Sequence, residues 1–471
     1  MTGAAAGQDS PPHAPGSERA LYKAAWASAL GSALEYYDFA LYSLYSALIF
    51  GDLFFPKANP AAASMAAFGT YFLGFLARPV GGILFGALGD RIGRRTVLAA
   101  TILLMGTAST LIGCLPTYAQ VGVWAPVMLV ALRLLQGLGA GAEQAGASVL
   151  MSEYAPPARR GFFAALPYVG VQMGAISAPL IVFGLSFTVG LSPTGWLWRV
   201  PFLISVIIVG VALWIRLRLR ETPTFTKLQE KHQVAKTPLR DLLKNSRGLI
   251  LVGLGLRMAE VGGSSLYQAL AISYLVKVSH WSSTSGSLCL LLAAILSAPV
   301  VATAGALTDR FGRIPVYRAV TILQLVTAAP AWWIFSQGQF WPSAGALCVV
   351  LGLGTWGLFG SQAAMLPEFF GARHRYIGVA VVREFSAPIA GGTAPLIGAA
   401  LITWSATHLG SDRAAWAPIA AYAVLLCAIT LVATFFAPRA DGRDLNALED
   451  ARLTLPWRRR PTDASRGAAG S

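Results

Sequence analysis

Long apolar runs separated by short polar stretches dominate the chain. Residues 97–115, 249–276 and 415–437 are examples, and each is apolar all round, not striped along one face. Each is long enough to cross a bilayer, which takes roughly 20 residues at about 1.5 Å of rise. Followed from end to end, the alternation gives twelve spans: 21–49, 61–88, 96–115, 123–150, 161–188, 199–219, 248–277, 285–307, 316–336, 343–368, 376–404 and 414–437. Hydrocarbon offers no partner to backbone N–H and C=O groups, so such spans must be helices. The pattern predicts an all-α integral membrane protein of twelve transmembrane helices.

The polar stretches predict its topology. Arg91, Arg94, Arg95, Arg159, Arg160, Arg310, Arg313, Arg373 and Arg375 all fall on one side of the spans, and nine Lys and Arg lie within 216–247. The opposite loops carry Lys57, Lys277 and Arg413. Basic loops stay in the cytoplasm, so an even number of spans places both termini there. The longest polar stretch, 220–247, contains Pro223 and Pro238 and separates six spans from six. The expected organisation is a disordered tail over 1–19 with no cleaved-signal pattern, a six-helix bundle over 20–219 and a linker over 220–247. A second six-helix bundle over 248–437 and a basic tail over 438–471 complete it.

The two halves repeat one another. GALGDRIGRR (Gly86–Arg95) lies between the second and third spans, and GALTDRFGRI (Gly305–Ile314) between the eighth and ninth. Glu153 precedes Arg159-Arg160 after the fourth span, and Glu368 precedes Arg373 and Arg375 after the tenth. Matching motifs at matching places indicate an internal duplication into two pseudo-symmetric bundles, an architecture suited to alternating access. Gly86 and Gly93, like Gly312 in the second copy, allow close approach and a tight turn. Asp90 is expected at the start of the following helix, with Arg91, Arg94 and Arg95 free to pair with it, with Glu153 or with lipid phosphate. Asp309, Arg310, Gly312, Arg313, Glu368 and Arg375 form the second set, and with Glu153 and Arg160 they make a candidate cytoplasmic latch.

Composition narrows the function. The 471 residues are 55% hydrophobic and 12% charged, against about a quarter charged in soluble proteins. The net charge of +15 follows the inside loops, so no nucleic-acid partner is expected; the bilayer is the partner. Cys114, Cys289, Cys348 and Cys427 lie in or beside apolar runs without metal-ligand spacing, and the five histidines lie in tails, loops or span edges. No nucleotide loop, metal set or nucleophile–base pair is present, so neither an enzyme nor a cofactor is expected.

Gly86-x-x-x-Asp90-Arg91-x-Gly93-Arg94-Arg95 and Gly305-x-x-x-Asp309-Arg310-x-Gly312-Arg313 resemble the loop motif of the major facilitator superfamily. Within it, the chain is similar to the metabolite:H+ symporter family. The likeness rests on GSALEYYDF (Gly31–Phe39), FLARPVGG (Phe75–Gly82), RLLQGLGAGAEQAGA (Arg133–Ala147), WRVPFLIS (Trp198–Ser205), RLRLRETPTF (Arg216–Phe225) and IAGGTAPLI (Ile389–Ile397). The resemblance implies proton-coupled uptake of small organic solutes: carboxylates such as citrate, 2-oxoglutarate and shikimate, or zwitterions such as proline and betaine. VVREFSAP (Val381–Pro388) departs from the family, many members of which hold small or neutral residues around Arg383-Glu384.

Ionisable residues inside the spans mark the candidate site. Each costs about 2.5–3.5 kcal/mol at a helix centre, so it should face a cavity or a partner. Glu35 and Asp38 are three apart in the first span and share one side of it. Either carboxylate, or the two together, is the candidate proton carrier. The resemblance favours Asp38, with Arg133 of the fourth span as its switching partner. Arg133, Gln136 and Gln144 can offer donors to a solute carboxylate, while Glu143, about 15 Å along the axis from Arg133, is either a second proton site or a helix–helix hydrogen bond. In the second half Arg257 and Glu260 either pair with each other or face the cavity, and of the neighbours Arg383 and Glu384 at least one should face it. Tyr36, Tyr37, Tyr42, Tyr267 and Trp356 are candidate lining aromatics, and Arg78, beside Pro79, Gly81 and Gly82, reads as structural.

The expected function is import of a small organic acid with protons by a monomer in the plasma membrane. An exchanger or exporter of the same fold, and a solute sensor that moves nothing, are the alternatives.

Overall fold

The computed structural model describes residues 18–56, 60–92, 94–141, 144–190, 195–218, 242, 244, 246–372 and 375–454. The expected linker lies mostly outside them, as does Glu143. Most of the described residues are helical, and the first half runs α1 (Glu18–Leu48), α2 (Pro60–Ile92), α3 (Arg94–Cys114), α4 (Trp124–Ala140, then Gln144–Tyr154), α5 (Arg160–Thr188) and α6 (Val200–Arg218). In the second half α7 joins Arg247–Ser265 to Ala271–Lys277 through a π turn at Leu266–Leu270. It is followed by α8 (Ser283–Phe311) and α9 (Arg313–Gln337). Helix α10 spans Phe340–Phe369 and α11 spans Arg375–His408, each with a π segment, at Cys348–Thr355 and Ala387–Gly392. Helix α12 is Trp416–Phe436.

Among the described residues eight helices are long and apolar enough to cross a membrane. Ala99–Cys114, Trp124–Ala140 and Leu197–Val211 are the shorter apolar parts of three more, and α1, with its two buried acids, is the twelfth. The architecture is therefore the expected one: twelve spanning helices in two six-helix bundles.

The bundles meet along two seams, α5 against α8 and α2 against α11. The first seam explains the motif glycine. A side chain on Gly305 would strike the Gly161 carbonyl and Ala165, and one on Gly161 would strike the Gly305 carbonyl and Thr308. Close backbone approach at small residues is what association in lipid relies on, since burying apolar surface gains nothing there. One buried cluster runs through both bundles and includes Tyr45, Phe50, Phe202, Leu270 and Trp332. A second fills the motif-bearing end of the second half around Leu256, Tyr317, Phe369 and Val382.

Of the basic segment expected over 438–471, the described part folds back across the motif-bearing end. Ala451 N donates to Phe369 O at 2.8 Å, Ala372 N to Ala447 O at 2.8 Å and Thr454 N to Phe436 O at 3.2 Å. Asp450 accepts from Gly371 N at 2.8 Å and from the Ser246 hydroxyl. Arg160 of the first half donates to Arg443 O at 2.9 Å.

Candidate functional site

Helices α1, α3, α4 and α6 bring five polar side chains together in the first half. Asp38 accepts hydrogen bonds from Ser109 Oγ and Ser205 Oγ, both at 2.7 Å. Gln136 Nε2 donates to Ser109 Oγ at 2.7 Å, and Arg133 Nη1 donates to Gln136 Oε1 at 2.5 Å. Asp38 and Arg133 are thus connected, but through Ser109 and Gln136 and not by a direct ion pair. The Arg133 guanidinium lies 3.9 Å from the centre of the Tyr42 ring and 5.4 Å from that of Tyr71. Gly74 makes this possible, because a Cβ there would occupy the space of the guanidinium. A cation held on aromatic faces and one amide keeps donors for an incoming anion, and Arg133 Nε has no hydrogen-bond partner.

A second constellation sits between the halves. Arg78 Nε of α2 donates to Glu384 Oε2 of α11 at 2.9 Å, and its Nη2 lies 3.6 Å from Glu35 Oε1 of α1. Arg257 pairs with Glu260 at 3.0 Å and also donates to Ser386 Oγ at 2.8 Å and Gln362 Oε1 at 3.0 Å. Arg383 Nη1 donates to the Tyr168 hydroxyl at 2.6 Å, crossing the seam to α5. Gln268 Nε2 donates to the Tyr36 hydroxyl at 3.0 Å, and the Tyr71 and Ser265 hydroxyls are 3.1 Å apart, so polar contacts join α7 to α1 and α2.

These residues surround two voids. Glu35, Asp38, Arg133 and Gln136 line the first; Arg257, Glu260, Arg383 and Glu384 line the second; Arg78, Phe39 and Phe75 face both. The voids enclose only about 20 and 40 Å³ open to water, enough for isolated waters but not for an organic solute. In this conformation the side chains of the two halves fill the site.

Three expectations are corrected. Tyr37 points away from the voids and donates its hydroxyl to Pro201 O at 2.8 Å, because its neighbour Tyr36 takes the cavity-facing position. Tyr267 is packed inside the second half with its ring 6.2 Å from Trp332, where the π turn rotates it. Arg78 is not confined to helix packing: it lies between the voids and bonds across the seam. Trp356 lines the second void as expected, while Tyr42 lies under Arg133. The side chain of Gln144 falls outside the described residues. Ser109, Ser205, Gln268, Gln362 and Ser386 carry no sequence signal, since serine and glutamine are common in spans. Arg78 carries the same signal as the other buried arginines, but its Pro and Gly neighbours point to helix packing.

The motif-bearing end is held by a second set of contacts. Glu153 pairs with Arg375 at 2.7 Å and Arg160 with Glu368 at 2.9 Å, each across the halves. Arg313 holds Glu368 at 3.2 Å and Asp309 at 2.7 Å. The motif aspartate does not begin the following helix. Asp309 lies in the last turn of α8 and accepts from the first amides of α5, Gly161 N at 2.6 Å and Phe162 N at 2.9 Å. A helix N-terminus favours a carboxylate, and here that terminus belongs to the other half. Asp90 likewise lies within α2, which ends at Ile92 before α3 starts at Arg94. The side chains of Asp90, Arg91, Arg94 and Arg95, and the surroundings of Gly86 and Gly93, lie outside the described residues. Arg310 is exposed over the Phe311 ring, 5.2 Å from its centre, and takes no part in these bridges. Gly312, at φ +90°, makes the turn into α9 that other residues rarely adopt.

Residues 28–392 match the Major Facilitator Superfamily. The chain belongs to that superfamily. It is 37% identical over 423 residues to the putative transporter YdfJ of Escherichia coli K12, covering 89% of this chain and 97% of the relative. It is 34% identical over 416 residues to the shikimate transporter of the same strain, covering 87% and 92%. Its fold is similar to that of the proton:xylose symporter XylE, with a TM-score of 0.69 at 16% identity over 92% of this chain and 98% of that one. The chain is a multi-span membrane transporter of the Major Facilitator Superfamily, not an enzyme.

Proposed function

We propose that this transporter is a proton-coupled symporter that brings a small organic acid into the cell by alternating access. The observation that carries the reading is the relay Asp38–Ser109–Gln136–Arg133, which ties a buried carboxylate to a buried cation in one half and opens onto the solute space. A proton on Asp38 weakens the acceptor at one end of the relay and thereby alters how Arg133 is held at the other. Glu35, beside Arg78, is the alternative carrier. Arg133 and Gln136 in the first half, with Arg257 and Arg383 in the second, supply donors for a solute carboxylate that bridges the bundles. Similarity to a shikimate transporter supports a carboxylate. Both termini and the motif-bearing end face the cytoplasm in this reading, with 20–219 and 248–437 as the rocking bundles, and the monomer is the working unit.

The test is uptake by the purified chain in proteoliposomes, with the pH gradient imposed in either direction over a library of organic acids including shikimate. Accumulation only when the outside is the more acidic supports the proposal. Absence of flux for every compound under every gradient refutes it.

A further inference from the structure

Four arginines reach the two voids, and their partners differ in kind. Arg133 rests on aromatic rings and an amide. Arg257 is held by Glu260, Ser386 and Gln362, all in its own half. Arg383 meets a tyrosine hydroxyl across the seam. Arg78 takes a carboxylate from each half: Glu384 at 2.9 Å and Glu35 at 3.6 Å. Its guanidinium stands between the voids, and its side chain and both acids are almost wholly buried. A guanidinium offers a planar fork to a carboxylate, and here Glu384 occupies one arm of it through a single close bond.

We propose that Arg78 is the docking cation for the carboxylate of the transported solute, and that Glu384 is a built-in surrogate that leaves it by accepting a proton. The proposal deepens the symporter reading and rests on it for the identity of the solute as an acid. The exchange balances. The solute brings one negative charge, Glu384 gains one proton, and Arg78 keeps an anionic partner throughout. The Arg78–Glu384 bond also ties α2 to α11 along one of the two seams, so releasing Glu384 removes a tie that keeps the halves together.

Other charged and titratable groups surround Glu384. Arg78 from α2, Tyr36 from α1, and Arg257 and Glu260 from α7 line the same void, with Arg383 adjacent on its own helix, and Glu35 of α1 lines the other void beside Arg78. Arg78 is the cation within bonding distance of its carboxylate, which makes it the one whose anion site opens when Glu384 is neutral.

The experiment needs no knowledge of the solute. Ala387, which lines the second void, is replaced by cysteine in a full-length chain whose native cysteines have been removed. The purified protein is then labelled with two methanethiosulfonates, one bearing a sulfonate and one a quaternary ammonium. The ratio of the two rates cancels thiol ionisation and reports whether the cavity favours anions. E384Q should raise the anion-to-cation ratio about tenfold, and adding R78Q should return it to the parent value. In the parent the ratio should climb on acidification, and in E384Q it should climb less. A ratio in the parent that ignores pH overturns the proposal, as does an E384Q ratio that is the same with and without Arg78. A chain that transports nothing but shows the expected ratios would fail as a symporter while keeping this anion site.

Discussion

Glu368 Oε1 lies 2.9 Å from Arg160 Nη1, so the tenth helix grips the fifth across the boundary between the bundles. The same carboxylate also holds Arg313 of its own half at 3.2 Å, and it is wholly buried. A buried acid between two guanidiniums loses much when it is neutralised, because Arg160 is left without its counter-charge and Arg313 keeps only Asp309. Glu368→Gln should therefore cost on the order of 3 kcal/mol and lower the thermal midpoint in detergent by several degrees. It should also speed hydrogen exchange at the start of the fifth helix. An unchanged midpoint and unchanged exchange would show that the bridge carries no stability.

Asp38→Asn keeps the size of the side chain but removes its titration. Gradient-driven accumulation in proteoliposomes should disappear while counterflow of preloaded solute persists in part. Full accumulation by the variant would exclude Asp38 from proton coupling and leave Glu35 or Glu384 as the carrier.

Arg133→Ala empties the space beneath Gly74 and removes the cation from the Tyr42 ring. The solute concentration for half-maximal uptake should rise by about tenfold or more, the scale of one charge-assisted bond. A value equal to that of the parent would rule Arg133 out as a ligand.

Asp309→Asn takes a charge away from the first amides of the fifth helix and from Arg313. Turnover should change more than the half-saturating concentration, because this contact lies at the end of the bundle and not at the solute. Asp90→Asn, the equivalent change in the first copy of the motif, should act the same way. Equal effects on both quantities would place the motif aspartates in binding instead.

The apolar runs made the fold legible, since lipid leaves a spanning segment no conformation but the helix. The repeated motif made the two-bundle division legible for the same reason that a duplicated gene segment keeps its spacing. Buried charge then located most of the site: Glu35, Asp38, Arg133, Arg257, Glu260, Arg383 and Glu384 all reach the voids. Which neighbour faces inward was harder to read. Tyr36 and Tyr37 are adjacent and chemically alike, and only the rotation of the first helix decides between them. Tyr267 shows the limit of a regular helical projection, because the π turn at Leu266–Leu270 changes the phase of the seventh helix. Asp90 lies in the helix before the turn and not at the start of the next one, and Asp309 finds its partner amides on a helix distant in sequence, which local capping rules do not reach.

The returning segment after the last span has a practical corollary. It is stitched to the second bundle at Phe369, Ala372 and Phe436, and it extends a backbone carbonyl from Arg443 to Arg160 on the first. Shortening the gene at the end of its final hydrophobic stretch would therefore strip Arg160 of one of its acceptors and leave Gly371 N without the Asp450 carboxylate. Expression variants and fusions should keep the sequence through Thr454, since what looks like a dispensable trailing end is bonded to both bundles.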